Sequence, residues 1–300
     1  MTDQSVVRPA APWPAPWRAV AGEAALSWRF IRNDPWAGLC PGVAFTVAVA
    51  WHHRLAPDRF AWTVAGSVLY FYLYLYGFCL TNQLTGRLED RINKPTRPLP
   101  QGHAGTRGTV VRAGVVFVAF PLVGALLGVW VWALAWEAVT VLNNLAGGAR
   151  RWLVKDAVIG SGVLLMLAPA WQMAAPLTAD TWRWMLTLAV VIFLLIPVQD
   201  LRDVPGDTAA GRVTFPIAFG EPFTRAFLAV GFSLLPLVDH FMLLRASTAT
   251  AWIAEAATAA LCVTIAWRVT RGRSPAHDHL TYRLFEYWYA AILAAAIITL

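Results

Sequence analysis

The chain has 300 residues, 58% of them hydrophobic and 14% charged, which excludes a water-soluble globular domain, where about a quarter of residues carry charge. Its net charge of +7 follows the pattern of membrane topology and not of a nucleic-acid footprint, because basic residues collect in loops on one side of a bilayer. Cys40, Cys79 and Cys262 lie in apolar segments without zinc spacing or evident disulfide pairing, so packing is their expected role and redox chemistry is not indicated.

Residues 1–22 are Pro-rich and lack the apolar run of a signal peptide, and they read as a disordered cytoplasmic tail ahead of a single transmembrane domain at 23–300. Trp28, Arg29, Phe30, Arg32 and Trp36 then mix aromatic and basic types, as expected of an interfacial anchor. Apolar stretches follow at 35–52, 60–81, 108–127, 128–142, 153–175, 181–199, 225–245, 249–269 and 284–300, most of them close to the roughly 20 residues that span a bilayer. The expected fold is an all-α integral membrane protein, a bundle of about nine transmembrane helices. Gly124 and Gly128 leave open whether the third and fourth stretches form one bent helix or two joined by a tight turn, so a count of eight is the alternative. With the N-terminus inside, only Arg54, Arg59, Arg183 and Arg245 fall outside, leaving 20 of the 24 basic residues on the cytoplasmic face.

Charge is scarce, so two clusters at the ends of apolar stretches stand out. The first runs from Asn82 to Gly102 after the second stretch and carries Glu89, Asp90, Arg91, Lys94 and Arg97. The second runs from Asp200 to Pro216 after the sixth and carries Arg202, Asp203, Asp207 and Arg212. If each continues as a helix, Asn82, Gly86 and Asp90 line one face, and Asp200, Asp203 and Asp207 line another. Three Asp on one face repel unless a cation shares them, and hard oxygen donors without His or Cys suit magnesium better than zinc. Asn82, Asp90, Asp200, Asp203 and Asp207 are therefore the expected catalytic and metal-binding residues. Magnesium usually completes its shell with phosphate oxygens, which points to a phosphorylated substrate that Arg91, Lys94, Arg97 and Arg202 would clamp.

The stretch Asn82–Gly102 resembles the first signature of the UbiA superfamily, an Asn-Asp-x-x-Asp-x-x-x-Asp run followed by basic residues and Arg-Pro-Leu-Pro-x-Gly. The second cluster resembles its other signature, Asp-x-x-Asp-x-x-Gly-Asp with downstream Gly, Thr and Pro. Hydrophobic spans extend the likeness over 25–300. The resemblance implies a helical bundle around a central, lipid-adjacent cavity, with the two loops facing each other over magnesium and the diphosphate of a polyprenyl substrate. Gln83 and Gly86 stand where the usual first motif has Asp. The resulting Asn-x-x-x-Gly-x-x-x-Asp form, with Asn143-Asn144-Leu145-Ala146-Gly147-Gly148, resembles the terpene cyclase branch. Lys155, one of two lysines against 22 arginines, lies where the family places a basic diphosphate contact.

The chemistry common to these readings is loss of diphosphate from an allylic carbon, with the leaving charge stabilised by magnesium and basic residues. A terpene cyclase would let the chain's own double bonds capture the cation of a C15 or C20 diphosphate. The alternative is a prenyltransferase that delivers it to an aromatic or other lipophilic acceptor. A transporter is disfavoured because its charges belong near mid-membrane on broken helices. Tyr74 and Phe78 precede Asn82 at four-residue steps and are expected in the prenyl pocket with Gly86, Asn143 and Asn144. Glu137, an ionisable group inside an apolar stretch, is expected to border that pocket. Asp239, Glu255 and Glu286 are assigned no role, the histidines form no metal cluster, and no protein or nucleic-acid partner is expected.

Overall fold

The structure is a computed structural model that describes residues 16–272 and 274–299. Its elements are helices, joined by an isolated parallel bridge between Arg151 and Val213. In chain order they are α1 (Pro16–Ile31), α2 (Leu39–His52), α3 (Pro57–Thr85), α4 (Arg87–Asn93), α5 (Thr106–Leu126), α6 (Trp130–Thr140) and α7 (Trp152–Gln172). They continue as α8 (Ala179–Leu195), α9 (Pro197–Ala209), α10 (Phe215–Phe219), α11 (Glu221–Val238), α12 (Ala249–Arg271) and α13 (Pro275–Thr299).

All nine expected apolar stretches are helical, but the count of nine spans is not reproduced by length and composition. Among the described residues six helices are long and apolar enough to cross a membrane: α3, α5, α7, the α8–α9 run, α11 with the turns that follow it, and α12. Helix α2 is apolar but has 14 residues, α6 has 11, and α13 is not among the six. The expected tail also needs correcting. Residues 16–22 are the first turns of α1, and residues 1–15 lie outside the described residues.

Helix α1 is docked onto the bundle by polar ties. Arg112 on α5 grips Glu23 with two bonds of 2.5 and 2.6 Å, Tyr72 donates to Ser27, and Gln83 Nε2 donates to the Phe30 carbonyl at 3.0 Å. Trp17, Val20 and Trp28 remain exposed on it, as an interfacial anchor requires. Helix α2 packs against α3, α7 and α13, while α9 packs against α13 and α4. Helix α5 lies at the periphery and exposes Val111, Val115, Val118, Leu122 and Leu126, a stripe at three- and four-residue steps suited to lipid.

The third and fourth stretches are two helices. Gly128 has φ +73°, a conformation only glycine adopts without strain, and it makes the turn between α5 and α6. Gly124 permits the helices to close above that turn, since a Cβ there would lie 2.9 Å from the Trp130 Cα. Gly124→Val is expected to force α5 and α6 apart at a cost of about 1–3 kcal/mol. The check is the thermal unfolding midpoint in detergent, and an unchanged midpoint would contradict the close packing.

Candidate active site

The two charged segments converge because α4 and α9 lie side by side. Asn93, the last residue of α4, donates from Nδ2 to the Asp203 carbonyl at 3.0 Å and accepts from the Gly206 N–H at 3.2 Å. A Cβ on Gly206 would sit 2.3 Å from Asn93 Nδ2, so a glycine is required for this approach. The loop after α9 is held at the start of α7 by the bridge, in which Trp152 N–H donates to Val213 O and Val213 N–H donates to Arg150 O, both at 2.8 Å. That bridge carries Arg212 toward the first cluster and brings Lys155 beneath α9.

The carboxylates are shared by the protein's own cations. Asp90 is buried and accepts from Arg97 at 2.8 Å, and the same guanidinium reaches Asp34 at 3.1 Å. Asp200 pairs with Lys155. Asp203 lies 3.6 Å from both Lys94 and Arg202. Arg212 holds Glu89 at 2.5 Å and stands 3.7 Å from Asp207. Burial pushes the Asp90 carboxyl above its ordinary value, with Arg97 and Lys94 pulling the other way. Burial disfavours the charge on Arg97, but Asp34 and Asp90 outweigh it and hold the guanidinium above its usual range. Glu89, Asp90 and Asp200 all occupy first turns of their helices, where backbone N–H groups favour negative charge.

Part of this network forms one end of a cavity of about 210 Å³, while Asp90, Asp200, Asp207 and Arg202 stand outside its lining. Asp34, Asn82, Glu89, Lys94, Arg97, Lys155, Asp203 and Arg212 line its charged mouth. Leu75, Val158, Val163, Met166, Ile192 and Ile196 line the apolar part. One wall there is a stack in which the Tyr74 and Trp136 rings lie 4.1 Å apart and Phe78 packs 5.4 Å from Trp136. The Tyr74 hydroxyl donates to Gly162 O and Trp136 Nε1 donates to Tyr74 O, both at 3.0 Å, so both rings are fixed. The opposite wall comes from α13, with Tyr282, Phe285, Glu286 and Tyr289. A π turn at Val141–Leu145 presents Asn143 to the cavity, while Asn144 ties that turn to α3 through Phe78 O at 3.2 Å and Thr81 Oγ1 at 2.8 Å.

The oxygens Asp90 Oδ2, Asp200 Oδ2 and both of Asp207 are buried without hydrogen-bond partners, and as hard donors they fit a small divalent cation. Among the described residues no group of three or more His, Cys, Asp or Glu is gathered as a preformed metal cage. Lysine and arginine side chains are the present partners of the Asp trio, and a cation arriving with oxygen ligands of its own suits the geometry.

The chain matches the UbiA prenyltransferase family over residues 39–292. It belongs to that family. It is 46% identical over 286 residues, covering 95% of this chain and 96% of the other, to a somaliensene A/B synthase of Streptomyces somaliensis. It is 30% identical to the diterpene cyclase eriG of Hericium erinaceus, covering 92% of this chain and 88% of that one. A UbiA homologue from Archaeoglobus fulgidus, solved with GPP and Mg2+, has the same fold with a TM-score of 0.64, at 13% identity over 90% of this chain and 99% of that one.

Several expected site residues in this UbiA chain lie elsewhere. Arg91 is exposed and outside the cavity lining. Arg202 turns to α13, where it meets His279 Nδ1 at 2.6 Å and stacks 4.4 Å over Tyr282. Glu137 lines a separate cavity of about 10 Å³ behind Tyr74, Phe78 and Trp136. Gly86 is not in the prenyl pocket but at the α3–α4 junction, where a Cβ would lie 3.4 Å from both Arg212 and Glu89. Asn144 positions the π turn and does not line the cavity. Gln83, standing where the UbiA motif has Asp, is fully buried and faces α1. Asp34, Glu89 and Arg212 join the site without having been expected there, although the last two lie inside the charged clusters, and so does the α13 wall, of which only Tyr282 precedes the apolar stretch at 284–300.

Lys155→Met is expected to cost about 3 kcal/mol in stability by leaving Asp200 buried without a counter-charge. Adding Asp200→Asn should recover most of that loss. Thermal melts in detergent check both, and equal midpoints for the parent and Lys155→Met would contradict the pairing.

Proposed function

We propose that this chain is a magnesium-dependent membrane terpene cyclase that ionises a C15 or C20 polyprenyl diphosphate and closes it into rings. The observation that carries the reading is a continuous cavity, charged at one end and lined by fixed aromatic rings and aliphatic side chains at the other. That shape suits a diphosphate joined to a hydrocarbon chain. The 46% identity to a somaliensene synthase supports the cyclase branch over transfer to an acceptor.

Asn82 and Asp90 from one segment, with Asp200, Asp203 and Asp207 from the other, would hold magnesium. When bound, the metal neutralises charge on the departing diphosphate. Lys94, Arg97 and Lys155 line the mouth and bind the same anion. Lys155 exchanges its Asp200 partner for phosphate oxygen, and Arg212 anchors the Glu89 side of the entrance. Deeper in, Tyr74, Phe78 and Trp136 present π faces that attract the allylic cation, each worth up to about 2 kcal/mol when desolvated. The apolar walls exclude water that would capture it. The N-terminus and charged mouth are assigned to the cytoplasmic side of a bacterial plasma membrane, supported by the basic-residue asymmetry.

Purified protein in detergent, given magnesium and C10, C15 or C20 allylic diphosphates without an acceptor, is expected to yield a cyclic product that EDTA abolishes. Gas chromatography of a hexane extract reads this directly. No consumption of any of the three would overturn the cyclase reading in favour of an acceptor-dependent transferase. Asp90→Ala, Asp200→Ala and Asp207→Ala should each lower diphosphate release by about 100-fold or more, corresponding to about 3 kcal/mol of lost transition-state stabilisation. Retention of activity by all three folded variants would remove the metal assignment.

A further inference from the structure

A cyclisation that ends in a hydrocarbon requires a base inside the prenyl chamber, because the last carbocation must lose a proton from a neighbouring carbon. Most carboxylates lining the cavity are engaged at its charged mouth: Asp34 by Arg97, Glu89 by Arg212, and Asp203 by Lys94 and Arg202. Glu286 differs. It lies on the α13 stripe Tyr282, Phe285, Glu286 and Tyr289, all of which line the cavity at the i, i+3, i+4, i+7 spacing of one helix face. Tyr282 marks the mouth, since Arg202 stacks on its ring. Four residues further along α13, Glu286 stands about 6 Å deeper, at 1.5 Å per residue. Arg283 on the same helix holds one of its carboxylate oxygens at 2.6 Å from outside the cavity lining, and Tyr282 hydrogen-bonds the same carboxyl group, while Glu286 itself lines the chamber. An ionisable group on the wall of this cavity beyond its charged mouth is costly to keep there and calls for a function.

We propose that Glu286 is the base that ends the reaction, an assignment that rests on the cyclase reading above. A carboxylate oxygen takes a proton from the carbon next to the final cationic centre. The C–H electron pair becomes the new C=C bond, and the neutral carboxyl returns its proton to water at the mouth after product leaves. Before that step its negative charge draws the cation toward α13, between the faces of Phe285 and Tyr289.

The test compares Glu286→Gln, Glu286→Asp and Arg283→Gln in detergent with the diphosphate that the unaltered protein cyclises, following diphosphate release and the product spectrum separately. In Glu286→Gln the native hydrocarbon is expected to fall by about 100-fold while diphosphate release continues, with alcohols or isomeric alkenes replacing it. Glu286→Asp should restore part of the native product. Arg283→Gln should keep the native product ratios. Unchanged ratios in Glu286→Gln would overturn the proposal and leave the released diphosphate as the base. The same altered spectrum in Arg283→Gln would also overturn it, by reducing Glu286 to a partner in an ion pair. Absence of acceptor-free turnover by the unaltered protein would instead overturn the cyclase reading, and this assignment with it.

Discussion

The site depends on how closely α4 can approach α9. At Gly206 the backbone N–H meets Asn93 directly, and a side chain one carbon long would already collide with that amide. Because the contact joins the end of α4 to the second half of α9, the two charged segments share one volume and their counter-ions can cross between them. Lys94 leaves its own segment to meet Asp203, and Arg212 leaves its own to meet Glu89. Two separate wet loops would have paired internally or with water. The crossing pairs are what turn two helix ends into the mouth of one cavity.

Those pairs also explain how so many carboxylates are tolerated out of water. Removing an ion from water costs several kcal/mol even after the surroundings relax, and a neighbouring counter-charge offsets this only when the geometry is good. Asp90, with both a guanidinium contact and a helix-start position, meets that condition on one oxygen and leaves the other without a partner. Asp200 does the same with Lys155. Each pair is therefore stable enough to persist and incomplete enough to accept a further ligand. A magnesium diphosphate would supply charge of both signs at once, with the carboxylate oxygens suited to the metal and the lysine and arginine to the phosphates. Exchange of this kind moves few net charges into the membrane.

The helical class and both charged segments were legible in the sequence because composition and the periodicity of Asp carry that information locally. Tyr74, Phe78 and Asn143 were also placed on the side of the cavity they occupy. What escaped depends on contacts between distant segments. Glu137 looks like a cavity residue when only its own helix is considered, yet the Tyr74–Trp136 stack stands between it and the main cavity. Arg91 and Arg97 are equivalent as letters beside Asp90; six residues of helix and turn direct one to the surface and the other between two carboxylates. The first and fourth apolar stretches fold as helices of 14 and 11 residues, shorter than the stretches themselves, because hydropathy reports apolar surroundings without fixing where a helix starts and stops.

The aromatic walls set a different requirement from the charged mouth. A flexible prenyl chain can fold only if its surroundings do not, and each ring of the inner wall is held by a directional contact: Tyr74 through Gly162 O, Trp136 through Tyr74 O, and Phe78 through stacking on Trp136. The π turn adds to this, since widening one turn of helix at Val141–Leu145 lets Asn144 grip α3 while Asn143 faces the cavity. Rings fixed by hydrogen bonds to backbone keep their π faces in one orientation as charge moves past them, which a wall of freely rotating aliphatic side chains would not do. Rigidity is thus concentrated on α3, α6 and α7, while adaptability belongs to the mouth, where paired lysine and arginine side chains have long stems and alternative partners. The division places the mobile groups where an anion must enter and the immobile ones where a carbocation must be guided.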